Sequence, residues 1–227
     1  MGLLNDARVE ALLDRLHAQS SAQDAGLQQY FAKRMEEGTL DWKGLDADAH
    51  RFMSDKLVAL DRDKAELCYQ LCRALRAKRV IEIGTSFGVS TLYLAAAVRD
   101  NVREDGGAGV VIANEYEPGK ARAARAHFAE AGFTPWIDLR EGDVRETLKG
   151  VEGPIDFVLM DIWTEIARPA LERVCPVLRA GAIVLADNTT AFRQGYDDYF
   201  AFVNHPKNGL RTLTMPYPGG LELTVRT

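Results

Sequence analysis

Glu115, Asp161 and the adjacent Asp187 and Asn188 each close a short apolar run, GVVIANE, IDFVLMD and AIVLADN, and Asp143 follows a fourth, WIDLREG. Oxygen-bearing side chains at successive strand ends can accept hydrogen bonds from sugar hydroxyls, ligate a hard divalent cation, or move protons. Asp and Asn also cap helices and turns, an explanation better suited to any one of these residues than to the set. A fifth run, VIEIGTSFGVST from Val80 to Thr91, breaks into a loop with glycines at Gly84 and Gly88. The dinucleotide fingerprint G-x-G-x-x-G would place a glycine where Ser86 stands. A pyrophosphate is therefore poorly served, whereas a smaller polar group can still approach the backbone.

These residues need a scaffold, and the surrounding pattern supplies one. The apolar runs alternate with amphipathic or Ala-rich stretches, STLYLAAAV, PGKARAARAHFAEAG and IARPALERVCPVL, which predicts βαβ units, a parallel sheet and helices on both faces. In an open parallel sheet, ligands bind beyond the carboxyl ends of the strands. LRTLTMPY and LELTVRT flank Pro218, Gly219 and Gly220 and read as a terminal hairpin that adds an antiparallel strand. The first third is helical. Val9, Leu12, Leu13 and Leu16 form one stripe, Leu27, Tyr30, Phe31 and Met35 a second that stops at Gly38, and a weaker segment runs from about Asp46 to Leu57. A fourth helix, roughly Asp63 to Leu75, aligns Ala65, Cys68, Leu71, Cys72 and Leu75 behind a cap at Asp61 or Asp63. The expected organisation is one domain, 1–227, with a helical cap and lead-in helix over 1–77 and an α/β core over 78–227.

Composition narrows the partners. The chain has 227 residues, 47% hydrophobic, with a formal net charge of −5, which argues against a broad nucleic-acid face. No apolar run reaches membrane-spanning length, and the N-terminal stretch carries acidic residues where a signal peptide needs basic ones, so a soluble, cytoplasmic protein is expected. The three cysteines, Cys68, Cys72 and Cys175, fit a reducing compartment. Cys68 and Cys72 lack a matching pair for a metal and read as a buried helix face. His17, His50, His127 and His205 are scattered, with surface or packing roles expected. The aromatic run QGYDDYFAFVNH is expected to be the apolar side of a covering helix.

Glu115 stands where a carboxylate holds the two hydroxyls of an unphosphorylated ribose. Together with the glycine loop it suits a nucleoside carrying an amino-acid tail, S-adenosylmethionine. The motifs E-I-G-T-x-x-G-x-S-T, E-x-x-P from Glu115 to Pro118, the GD of Gly142 and Asp143, DFVLMD and LADN then resemble the class I methyltransferases of the catechol and caffeoyl-CoA O-methyltransferase group, from about Leu57 onward. That resemblance implies a Rossmann-like sheet of seven strands with a reversed last strand. It implies methyl transfer from S-adenosylmethionine to a hydroxyl of a small aromatic acceptor. Carried over by position, Glu82, Gly84, Ser86, Gly88 and Ser90 line the methionine part of the cofactor, Glu115 the ribose, and Asp143 with Val144 the adenine. Trp163 flanks cofactor and acceptor. Asp161, Asp187 and Asn188 hold a divalent cation, usually magnesium, which makes Asp161 a cofactor, metal and catalytic residue at once.

One position departs from the resemblance. The group places a lysine three residues beyond the first Asp of its metal set, and Thr164 stands there, followed by Glu165. Metal-assisted ionisation of the acceptor, without a lysine base, is the expectation, with Glu165 a solvated acid at a helix start. A side chain at Gly84 is expected to block the cofactor while sparing the fold. The alternatives are a metal-independent methyltransferase, a nicotinamide-dependent oxidoreductase, disfavoured by Ser86, and a catalytically silent cofactor-binding module. The oligomeric state is open, a homodimer included.

Overall fold

The computed structural model describes residues 2–40 and 46–227. The expected cap contains positions 1 and 41–45, which lie outside the described residues. Five parallel strands, β1 (Arg79–Ile83), β2 (Val110–Glu115), β3 (Ile137–Glu141), β4 (Ile155–Met160) and β5 (Leu178–Asp187), are followed by β6 (Leu210–Met215) and β7 (Leu221–Arg226). The sheet order is β3-β2-β1-β4-β5-β7-β6. β7 runs antiparallel to both β5 and β6, with Ile183 opposite Val225 and Thr212 opposite Thr224. This is the Rossmann-like methyltransferase arrangement.

The central strands are apolar on both sides because both sides are covered. Val80, Ile81, Ile83, Phe157, Val158, Leu159 and Met160 are all fully buried. On one face α1 (Ala7–Ser21), α4 (Arg62–Ala74), α5 (Val89–Asp105) and α6 (Pro118–Ala131) share a core that includes Leu12, Leu16, Cys68, Leu92 and Phe128. On the other, α7 (Val144–Thr147), α8 (Thr164–Val174) and α9 (Asp197–Val203) enclose Val144, Ala167, Leu171, Tyr199 and Val203. The aromatic run after β5 is thus core, as its periodicity indicates, with Tyr196 and Tyr199 almost wholly buried. All three cysteines are free thiols in buried positions.

Two of the N-terminal helices behave differently. The α1 stripe is sealed, with Val9, Leu12, Leu13 and Leu16 at most 2% exposed. The next helix, α2 (Asp24–Glu36), forms where its periodicity places it yet has no buried residue. It meets α3 (Ala47–Met53) through the stacked rings of Tyr30 and Phe52, whose centroids lie 3.7 Å apart. Among the described residues no helix is long and apolar enough to cross a membrane.

Candidate active site

The strand order reverses between β1 and β4, and the glycine loop leaves β1 at that point. Gly84 has φ +98°, and a Cβ there would lie 1.9 Å from the backbone oxygen of Asp161. The Asp161 amide donates to the Ile83 carbonyl at 2.9 Å. Glycine is needed because two backbones cross here. The expectation that a side chain at Gly84 would spare the fold is corrected accordingly. Gly88, at φ +83°, faces the Phe128 ring, which a Cβ would meet at 2.4 Å. Gly88 therefore lets α6 pack against the loop. His127 on the same helix bonds through Nδ1 to the Phe87 carbonyl at 2.9 Å.

Glu82 is fully buried beneath this loop. Its carboxylate accepts hydrogen bonds from Thr85 Oγ1 at 2.9 Å, from Ser90 Oγ at 2.6 Å and from the Thr91 hydroxyl. Burial pushes its pKa up, opposed by the three hydroxyl donors. Glu82 and Ser90, expected to line the cofactor, are bonded to each other and brace the loop, with Ser90 also reaching the cleft.

The rim is built differently. Glu115 accepts from the Ser86 amide at 2.6 Å and the Glu117 amide at 2.7 Å, joining the end of β2 to the loop after β1. Each carboxylate oxygen has a second lone-pair site, so two hydroxyls can still be received. Asn114 Nδ2 donates to the Gly142 carbonyl at 2.9 Å and to Thr147 Oγ1 at 2.7 Å, which fixes the end of β3. Asp143 caps α7 by accepting from the Arg145 amide at 2.8 Å, and the Arg145 guanidinium beside it holds its pKa below the usual carboxylate range. Val144 is buried in the second core.

On the β4 and β5 side, Asp161 lines a cleft with Gly84, Thr85, Ser86, Ser90 and the Leu57–Leu60 segment. Burial, then the charges of Asp187 and Glu82, push the Asp161 pKa up to about 8. Asp187 is 5% exposed, and burial raises its pKa against the opposing pull of Lys64. Its Oδ1 accepts from Lys64 Nζ at 2.8 Å and its Oδ2 from Asn188 Nδ2 at 3.0 Å. Lys64 is only 1% exposed and makes a second ion pair, 2.9 Å, with Asp61. Burial works against its charge, but Asp187 and Asp61 outweigh that and hold the ammonium above its usual pKa. Asn188 has φ +59°, and its Oδ1 packs against Gly219, 2.6 Å from where a Cβ would stand.

A divalent cation on Asp161, Asp187 and Asn188 would lie beside the Lys64 ammonium, which already shares the Asp187 carboxylate. Each oxygen of Asp187 accepts one hydrogen bond, and Asn188 turns its nitrogen toward it. Among the described residues no cluster of three or more His, Cys, Asp or Glu is arranged to hold a metal. Lys64 sets a positive charge beside Asp187.

Trp163 precedes α8 and is half-buried, with the His50 ring edge-on to it at 6.0 Å. Thr164 opens α8, and Glu165 is exposed in its first turn. Lys120, half-buried in the first turn of α6, stands 6.0 Å over the Phe87 ring. Burial lowers its pKa, opposed by the charges of Glu115, Glu117 and Asp161. Sequence reasoning overlooked Lys64 and Lys120, and gave His50 only a surface or packing role. For Lys64 a signal existed, since positions 64, 68 and 72 share one face of α4 and its two cysteines were already assigned to the core.

Residues 81–189 match a family described as a methyltransferase domain. The chain is similar to a catechol O-methyltransferase of Mycobacterium tuberculosis, 31% identical over 132 residues, covering 58% of this chain and 57% of the relative. A catechol O-methyltransferase of Niastella koreensis is 31% identical over 131 residues, 54% of this chain and 53% of that one. The chain thus spans little more than half the length of these curated relatives. In fold, it is similar to an O-methyltransferase of Bacillus cereus in complex with SAH, with TM-score 0.66, 16% identity and coverage of 93% of this chain and 100% of that one. An SAH-bound methyltransferase of Podospora anserina gives TM-score 0.66 at 22% identity, covering 74% and 80%.

Proposed function

We propose that this chain transfers the methyl group of S-adenosylmethionine to a hydroxyl of a small aromatic acceptor of the phenol or catechol class. The observation that carries this reading is the cleft at the β1/β4 reversal, lined by Gly84–Ser86 and Asp161, with Glu115 tied to its edge through the Ser86 amide. The domain match and the similarity to catechol O-methyltransferases support it.

In this reading the Glu115 carboxylate, already oriented by two amides, takes the ribose hydroxyls. The Gly84–Ser86 backbone and Asp161 receive the methionine part, and Asp143 with Val144 borders the adenine. Burial holds Asp161 toward its neutral acid, and a cationic sulfonium beside it would favour the ionised form. When bound, S-adenosylmethionine supplies an electrophilic methyl group. Trp163 and His50 present an aromatic edge suited to a planar acceptor. A phenol of ordinary pKa near 10 is about 3 units short of ionisation at pH 7, roughly 4 kcal/mol. The Thr164 hydroxyl supplies no base for that step. The buried free thiols support a reducing, cytoplasmic setting.

The test is calorimetry with S-adenosylhomocysteine and with NAD, followed by labelled methyl transfer to a panel of phenols and catechols. Binding of S-adenosylhomocysteine alone, with a methylated product, is expected. Binding of NAD in its place would overturn the reading.

A further inference from the structure

We propose that Lys64 is a built-in cation. Its ammonium takes the place beside Asp187 that a divalent ion would occupy, and the site works without a bound metal. The clause about catalysis rests on the proposed methyl transfer; the clause about the cation does not.

Three observations converge on it. Lys64 Nζ lies 2.8 Å from Asp187 Oδ1 and 2.9 Å from Asp61 Oδ2, the lengths of charge-assisted hydrogen bonds. The side chain is 1% exposed and its Asp187 partner 5%, and lysine is almost never so buried unless paired. The ammonium is also anchored by its helix. Lys64 sits one residue before the fully buried Ala65 and one turn before Cys68, and its amide donates to Asp63 Oδ1 at 2.8 Å. The α4 backbone that carries the ammonium is thus fixed beside Asp187.

A divalent ion needs what this arrangement withholds. Magnesium binds carboxylate oxygens at about 2.0–2.1 Å in near-octahedral geometry, and the oxygen that would serve already accepts from an ammonium. The second oxygen accepts from Asn188 Nδ2 at 3.0 Å, so a divalent ion would have to share Asp187 with a buried ammonium and bear its like charge at close range.

The acceptor requirement changes with the cation. A metal with open positions can grip two neighbouring oxygens, whereas a buried ammonium with its carboxylate partners cannot. A single hydroxyl should therefore suffice, and simple phenols should serve as well as catechols. In the transfer itself the sulfur–methyl bond breaks with its electron pair going to sulfur and the oxygen–methyl bond forms. The acceptor O–H bond breaks and its proton passes to water.

The deciding experiment titrates Mn²⁺ by electron paramagnetic resonance into the wild-type chain, Lys64→Met, and Lys64→Met combined with Asp187→Asn. Calorimetry with S-adenosylhomocysteine in chelator is run on each. The wild type is expected to leave Mn²⁺ free at millimolar concentration while binding S-adenosylhomocysteine. Lys64→Met should gain a Mn²⁺ site at least an order of magnitude tighter, and the double variant should lose it. Wild-type turnover should be the same in EDTA as in magnesium. Should Lys64→Met fail to fold, Lys64→Gln replaces it, and the wild-type titration decides without any variant. Tight Mn²⁺ binding by the wild type, lost in Asp187→Asn, would overturn the proposal, as would a folded Lys64→Met that gains no site. Absence of turnover with every acceptor would sink the methyl-transfer reading and leave the Mn²⁺ result standing.

Discussion

The two halves of the cleft hold their carboxylates by different means. Around β1 and β2, Glu82 and Glu115 are satisfied by hydroxyls and amides within the loop and strand ends that follow them. Around β4 and β5, Asp187 depends on an ammonium more than a hundred positions earlier in the chain. Among the described residues Asp161 has no comparable donor, and it carries the strongly raised pKa. The first half is prebuilt from neutral donors close by in the chain. The second is an ionic site whose balance one distant lysine sets.

The largest effect should come from Gly84, where that contrast begins. Gly84→Val forces a Cβ into the Asp161 carbonyl at a left-handed φ, a combination of backbone strain and overlap with no flexible neighbour to yield. Loss of cooperative unfolding, or a drop of several kcal/mol in denaturant titration, is expected. A folded Gly84→Val that has lost only S-adenosylhomocysteine binding would show that the cofactor, and not the strand crossing, requires the glycine.

Next comes Glu115→Ala. It removes the proposed ribose acceptor and also orphans the Ser86 and Glu117 amides. Hydrogen bonds to charged groups contribute roughly 1.5–3 kcal/mol, so calorimetry should show affinity for S-adenosylhomocysteine weaker by about ten- to a hundredfold. Unchanged affinity in a folded protein would remove Glu115 from the site.

Asp161 tests the ionic half through pH. Its folded pKa, raised to about 8, means that folding favours the protonated acid. The penalty for the ionised form is absent below the ordinary carboxylate range and complete above about pH 8. Wild-type stability should therefore fall as pH rises across that window. Asp161→Asn, which mimics the neutral acid, should match the wild type near pH 4 and exceed it by a few kcal/mol at pH 9. A difference in melting temperature that does not change with pH would remove the buried charge as its cause.

The fold was legible because its signals are local. Alternating apolar runs and helices, Gly84 and the terminal hairpin each lie within a few residues of what they specify. The site was legible as a set of strand-end positions, since Glu115, Asp161 and Asp187 follow apolar runs that can only be strands. What those carboxylates face was not legible. The bond from Lys64 to Asp187 spans 123 positions, and nothing near Asp187 announces it. The burial of α1 but not α2 is similar, because a stripe shows which face is apolar without showing whether anything covers it.

The smallest predicted effect separates a brace from a contact. Ser90 matches a position expected to line the cofactor, yet its hydroxyl donates to Glu82 at 2.6 Å and the residue is 5% exposed. Ser90→Ala leaves the buried Glu82 with two hydroxyl donors where it had three, so the unfolding free energy should fall by about 1–2 kcal/mol. Because Thr85 and Thr91 still hold Glu82, the loop should keep its course and affinity for S-adenosylhomocysteine should change less than threefold. Paired denaturant and calorimetric titrations check this. If affinity falls tenfold while stability is unchanged, Ser90 belongs to the receptor surface, and the division between an internal brace at Glu82 and an outward rim at Glu115 must be redrawn.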